Sequence, residues 1–118
     1  MSIVITTAGD DVIVVAPAGE INGQTAPELQ NKLLPLVRPG GKVLLDMSGV
    51  TYLSSAGLRL LLVFYRQIAS NNGRIVLTGL SEMIADTMSN TGFLDFFEAY
   101  AHKEEGLAVL RRQDGLTG

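Results

Sequence analysis

Two adjacent serines, Ser54 and Ser55, stand where an apolar run gives way to a long apolar segment in residues 43 to 64, VLLDMSGVTYLSSAGLRLLLVF. The run ends in Asp46, a short polar connection follows, and the serines come directly before the second segment. This order reads as a buried strand, a loop, and a helix whose first residues are hydroxyls. A serine there accepts from the unpaired N–H groups of the first helical turn. The same position suits a phosphate, because free N–H groups and the positive end of the helix dipole both favour an anion. A hydroxyl that can become a dianion at one exposed spot is a candidate switch. Ordinary helix capping accounts for the same two serines without any modification.

The flanking elements follow from periodicity. Residues 2 to 7 and 11 to 17 read as strands joined by Ala8–Gly9–Asp10 in a hairpin-like connection. Gly19–Glu20–Ile21–Asn22 leads into a helix whose Leu29, Leu33, Leu34 and Val37 recur at helical spacing. Asn22 or Thr25 can cap it, Pro27 suits its first turn, and Pro35 ends or kinks it near Leu34. A strand at 42–47 precedes the serines. The second helix is expected from about Ser55 to Asn71, with Leu58, Leu61, Leu62, Tyr65 and Ile68 on one face and Asn72–Gly73 as its stop. Leu60 and Phe64 follow the other face and read as core. A strand at 74–78, a third helix capped by Ser81 and running to about Asn90, a short strand at 95–100 and a last helix at 103–112 complete the pattern. Met83 and Met88 read as packing residues, and the final QDGLTG as a frayed tail. Strands separated by helices imply crossover connections. The expected fold is therefore α/β: a mostly parallel mixed sheet of about five strands with an antiparallel edge, and about four helices. In open α/β sheets functional groups gather at the carboxyl ends of strands, where Asp46, Ser54 and Ser55 fall by sequence.

Composition narrows the functions available. The 118 residues fit one domain, with an ordered core over about 3–112, able to bury roughly two-thirds of its unfolded surface. The chain is 47% hydrophobic, and no segment is long and apolar enough to span a bilayer. No signal-type start is present, and the reading is a cytoplasmic protein. Cysteine is absent, which removes disulfides, thiol catalysis and thiolate metal sites; no metal, cofactor or catalytic residue is expected. Nine Lys and Arg against twelve Asp and Glu, with no basic cluster larger than Arg111–Arg112, argue against direct nucleic-acid binding.

The segment Asp46-Met-Ser-Gly-Val-Thr-Tyr-Leu-Ser-Ser-Ala-Gly-Leu58 resembles the signature of STAS domains, the family that includes the bacterial anti-sigma-factor antagonists. Members show a strand ending in a polar residue, a short turn, then Asp-Ser-Ser/Thr-Gly-Leu opening a helix. Gly19-Glu20-Ile21-Asn22 resembles the family's Gly-Glu/Arg-Leu-Asp element before its first helix. Length and element order agree from about residue 3 to 112. The resemblance implies partner switching by a non-enzymatic regulator. The unphosphorylated antagonist binds an anti-sigma factor that is also a serine kinase, phosphorylation at the start of the second helix releases it, and a PP2C-type phosphatase resets the system. Carried over, the phosphoacceptor is Ser55, because the family's preceding Asp falls on Ser54. Ser54 then becomes a second choice, and Asn22, Asp46, Ser54 and Gly57 are implied as partner-binding or switch-supporting residues. Ala56 stands where the family often has a second hydroxyl, and Asn22 replaces the commoner Asp. The partner is expected to dock over the start of the second helix and the 19–25 loop.

Other classes share these residues. Asp46 can simply accept loop N–H bonds, and Gly57 can simply allow close packing. Ser55-Ala56-Gly57 matches half of the Gly-x-Ser-x-Gly elbow of serine hydrolases, but Leu53 replaces the first glycine and the only histidine is His102. A phosphoacceptor-aspartate receiver would use Asp46 with Mg²⁺ held by Asp10–Asp11, the nearest pairing lysine being Lys103. A STAS-type scaffold or sensor that binds a protein partner or nucleotide without phosphorylation keeps the fold and drops the kinase.

Overall fold

The computed structural model describes residues 1–9 and 11–116, with side chains as far as Arg111. Ten elements follow in chain order: β1 (Ser2–Ala8), β2 (Val12–Ile21), α1 (Ala26–Leu33), β3 (Lys42–Asp46), β4 (Gly49–Leu53), α2 (Ser55–Ser70), β5 (Arg74–Thr78), α3 (Glu82–Asn90), β6 (Glu98–Tyr100) and α4 (Lys103–Leu116). The sheet runs β1-β2-β3-β5-β6, and β4 also pairs with β2. Among the described residues only β1–β2 is antiparallel, and the other pairings are parallel.

Alternation of side chains across the sheet explains the continuous apolar runs of the central strands. Val43, Leu45, Ile75 and Leu77 point to the face covered by α1, α2 and α3, while Leu44 and Val76 point to the face covered by α4. Helix α2 buries Leu58, Leu60, Leu61, Phe64 and Ile68. Its buried stripe is thus centred on Phe64, with Leu62 and Tyr65 half-exposed at its margin. Met88 of α3 is buried, but Met83 is 56% exposed, contrary to its reading as a packing residue. Five residues apart on a helix is about 140° of rotation, so the two methionines cannot share one face.

Several boundaries differ from the sequence reading, and the largest differences come from strand pairing. Strand β2 continues past Pro17 to Ile21. It pairs with β3 over Val12–Val15 and with β4 over Ala18–Ile21, so the missing Pro17 N–H falls in the gap between the two partners. The bulge that follows lies on β4, where Thr51 is the extra residue between Val50 opposite Gly19 and Tyr52 opposite Glu20; Gly19 itself has φ +108°. The connection expected after Asp46 is itself a strand: β4 continues along β2 after a turn closed by the Val50 N–H to the Met47 carbonyl, 3.0 Å. The β6 strand shortens to three residues because Phe93–Phe96 forms a 3-10 turn. Pro35 ends α1 at Leu33 and a 3-10 turn over Leu34–Leu36 follows. Helix α4 reaches Leu116, so only the last two residues of the expected tail lie outside the described residues, as does Asp10 of the expected hairpin connection.

Strand β5 carries two polar side chains of opposite fate. Arg74 hydrogen-bonds both oxygens of Glu98 on β6, which raises the already high pKa of its guanidinium. Thr78 is 1% exposed and its hydroxyl has no partner among the described residues. An unsatisfied buried hydroxyl costs about 1–3 kcal/mol of desolvation. Thr78→Val keeps the shape and removes the orphan, so urea unfolding should show a gain of about 1 kcal/mol; a loss would mean the hydroxyl is satisfied.

Candidate functional site

Strands β2 and β4 run side by side and end together, at Ile21 and Leu53. The two turns that leave them form the site. On the β2 side, the Asn22 carboxamide oxygen accepts from the N–H groups of Gln24 (2.9 Å) and Thr25 (3.1 Å). The Thr25 hydroxyl accepts from Asn22 N–H (2.9 Å) and donates to the Glu20 carbonyl (2.7 Å). Thr25 holds the N-cap position of α1 by backbone, with no side-chain cap bond of its own. Asn22 and Thr25 therefore divide the capping between them, and Asn22 needs no charge to do its part.

On the β4 side, the two serines have different surroundings. Ser54 is the N-cap of α2: its backbone is extended (φ −85°, ψ 175°) and its hydroxyl accepts from Gly57 N–H at 3.2 Å. Its own N–H donates to the Ile21 carbonyl at 2.9 Å and its carbonyl accepts from Leu58 N–H at 2.9 Å, tying the helix start to the end of β2. An Asp at this position would accept the same bond, so the exchange keeps the cap and removes a charge. Ser55 is exposed, and its hydroxyl makes no hydrogen bond among the described residues. The N–H groups of Ser55 and Ala56 likewise find no acceptor there, and no acidic residue lies in the first turn of α2.

Gly57 explains how α2 comes so close. A Cβ at this position would lie 2.7 Å from Leu53 Cδ1, 2.8 Å from Ile21 Cγ2 and 2.9 Å from the Ile21 carbonyl oxygen. Only a glycine lets the first turn of the helix rest on both strand ends. The approach leaves a shallow groove of about 250 Å³ between α1 and α2, lined by Ala26, Pro27, Ala56, Arg59, Leu60 and Val63 among others. Arg59 stands four residues after Ser55, one turn along the same helix face, and is exposed. Arg59 is not among the candidate residues read from the sequence, although its i, i+4 spacing from Ser55 was the available signal.

Asp46 stands apart from this cluster. It ends β3, and its carboxylate accepts from Ser48 N–H at 3.0 Å, shaping the turn into β4. No hydrogen bond joins it to either serine among the described residues. Its use in the structure is that of a turn residue. A receiver-like metal site loses its geometry as well. Asp11 precedes Val12, which pairs with Lys42 at the start of β3, so Asp11 and Asp46 lie at opposite ends of the sheet; Asp10 is outside the described residues. His102 stands before α4, which packs on the face opposite α2. Its N–H donates to Glu105 at 3.0 Å, and it makes no hydrogen bond to Ser55.

Comparison with known proteins places this arrangement. The family model described as the STAS domain matches residues 4–106. The chain is 32% identical over 95 residues to the anti-sigma-B factor antagonist of Bacillus subtilis (strain 168), covering 80% of this chain and 87% of that protein. Among solved structures, an anti-sigma factor antagonist from Mycobacterium paratuberculosis superposes with a TM-score of 0.83 at 26% identity, over 93% of both chains. The Bacillus cell fate determinant SpoIIAA in its phosphorylated form shares the fold, with a TM-score of 0.69 at 16% identity over 91% of this chain and 97% of that one.

Proposed function

This chain belongs to the STAS domain family, and from that premise we propose that it is an anti-sigma-factor antagonist released from its partner by phosphorylation of Ser55. The observation that carries the choice of residue is the contrast between neighbours. The Ser54 hydroxyl is half-buried and holds the helix cap, whereas among the described residues the exposed Ser55 hydroxyl and the two neighbouring N–H groups have no hydrogen-bond partner. The Bacillus relative is an antagonist of an anti-sigma factor, and SpoIIAA is known in a phosphorylated form; both support the same reading here.

The partner is an anti-sigma factor with serine kinase activity, which binds over the start of α2, the 19–25 turn and the groove between α1 and α2. A phosphate adds about −1.5 to −2 charges at neutral pH. On the free domain the helix dipole, the two N–H groups and Arg59 receive it. Against a packed partner the same dianion is desolvated, at a cost of several kcal/mol. The fold tolerates what the interface rejects. A PP2C-type phosphatase in the cytoplasm returns the hydroxyl form. The chain is then the substrate of two enzymes and a catalyst of nothing.

Intact-mass and peptide mass spectrometry of the protein from its native cell, with and without phosphatase treatment, tests this directly. A phosphate on Ser55 is expected. Phosphate on Ser54 moves the switch by one residue, and the absence of both under several growth conditions favours a STAS scaffold that binds its partner without modification.

A further inference from the structure

The two outer edges of the sheet are built differently. At one end, β6 is three residues long, contains Glu98, and lies between a 3-10 turn and α4. Strand β4 is five residues long, has a register break at Thr51 and packs against α2 and α3. Short or bulged edges of this kind resist further pairing. At the other end, β1 pairs, among the described residues, only with β2, along all seven of its residues in unbroken register, from Ser2 opposite Ala18 to Ala8 opposite Val12. Its sequence, SIVITTA, contains no charged residue, proline, glycine or bulge. Five of the seven residues are exposed, and they include Val4 at 54% and Ile5 at 40%. Among the described residues, β1 has none of the devices that normally keep an edge strand from pairing.

We propose that β1 is a homodimer interface, at which two copies join their sheets through antiparallel β1–β1 pairing about a two-fold axis at Ile5. The strand is its own complement in this arrangement. Antiparallel neighbours must share a face, so a two-fold axis normal to the sheet passes through a residue rather than between two. With the axis at Ile5, all seven positions are used. Ser2 lies opposite Ala8 of the second copy, Ile3 opposite Thr7, Val4 opposite Thr6, and Ile5 opposite Ile5. No like charges meet, and the exposed Val4 and Ile5 gain cross-strand neighbours of the β-branched type that stabilise sheets. The contact is isologous and closes at two copies, so it yields a discrete dimer rather than a fibre. The second copy is favoured over a foreign strand because it alone brings an uncharged strand of matching length at equal concentration. The edge lies along β1, while the proposed switch lies at the ends of β2 and β4, so this inference stands independently of the Ser55 reading.

Sedimentation velocity of the full chain from low micromolar to millimolar concentration is expected to show a concentration-dependent monomer–dimer equilibrium. Ile5→Lys and Ile5→Glu each bring like charges together at the axis and should raise the dissociation constant by about tenfold or more. An equimolar mixture of the two variants should regain association, since opposite charges then face each other. The protein has no cysteine, so Ile5→Cys gives an independent readout in a side chain of similar exposure. Directly opposed strand residues have Cα atoms within disulfide range, and oxidation should cross-link this variant far faster than Ser70→Cys, an exposed control on α2. A wild-type protein that stays monomeric over the whole range overturns the proposal. So does an Ile5→Lys variant that dimerises like the wild type, or cross-linking at position 5 no faster than at position 70. Association of wild type with no regain in the mixture overturns the Ile5 axis.

Discussion

Ser55→Asp is expected to bind the anti-sigma factor on the order of 100-fold more weakly than Ser55→Ala, a difference of about 2.7 kcal/mol. The reasoning separates fold from interface. Ser55 is exposed and its hydroxyl bonds to nothing among the described residues, so replacing it removes no intramolecular contact. A carboxylate at the first helical position interacts favourably with the dipole by about 0.3–1 kcal/mol, and the free domain should be as stable as before or slightly more so. In the complex the same carboxylate must lose water against a surface shaped for a small neutral hydroxyl. Titration calorimetry of both variants against the purified partner measures the difference, with thermal melts as the control for folding. Equal affinities would remove the docking surface from the start of α2 while leaving the family assignment untouched.

Gly57→Val should destabilise the domain by about 3 kcal/mol, which lowers the melting temperature of a chain this size by about 10 °C. The position is buried under the first turn of α2, and even a single Cβ would come within 2.9 Å of the Ile21 carbonyl oxygen. The Leu53 and Ile21 side chains can shift by a few tenths of an ångström. The backbone oxygen cannot, because it accepts the Ser54 N–H bond that anchors the helix. The helix start must therefore move outward, and the damage reaches function: the groove between α1 and α2 opens, and Ser55 leaves its place beside the 19–25 turn. Partner binding should weaken even at temperatures where the variant remains folded. An unchanged melting curve would show that α2 can slide without cost.

Much of the architecture was legible because its determinants are local. Helical spacing of Leu29 and Leu33, Pro35 at the end of α1, Asn72–Gly73 at the end of α2 and the hydroxyls before α2 and α3 are all read from neighbours in the chain. The misses share the opposite property. Pro17 looks like the end of a strand until β2 is seen to change partners at that residue. GVTYL follows Asp46-Met-Ser and reads as a connection, because five residues with one buried face become a strand only when β2 offers them hydrogen bonds. Met83 and Met88 are the same residue type on the same helix, and only the packing of α3 on the sheet assigns one to the core and one to the surface.

The serine segment divides along the same line. The order of residues by itself determined that two serines open a helix after a buried strand, since capping and dipole effects act within one turn. It also placed Asn22 and Gly57 in elements beside them. Which serine is free was decided by tertiary structure. The Ile21 carbonyl at the end of β2 captures the Ser54 backbone and Gly57 brings the helix down onto it, which turns the Ser54 hydroxyl inward and leaves Ser55 in the open. The separation of Asp11 from Asp46 was decided the same way, by the parallel register of β2 and β3. Contacts between residues distant in the chain depend on which strands pair and in what register, and no local pattern encodes that.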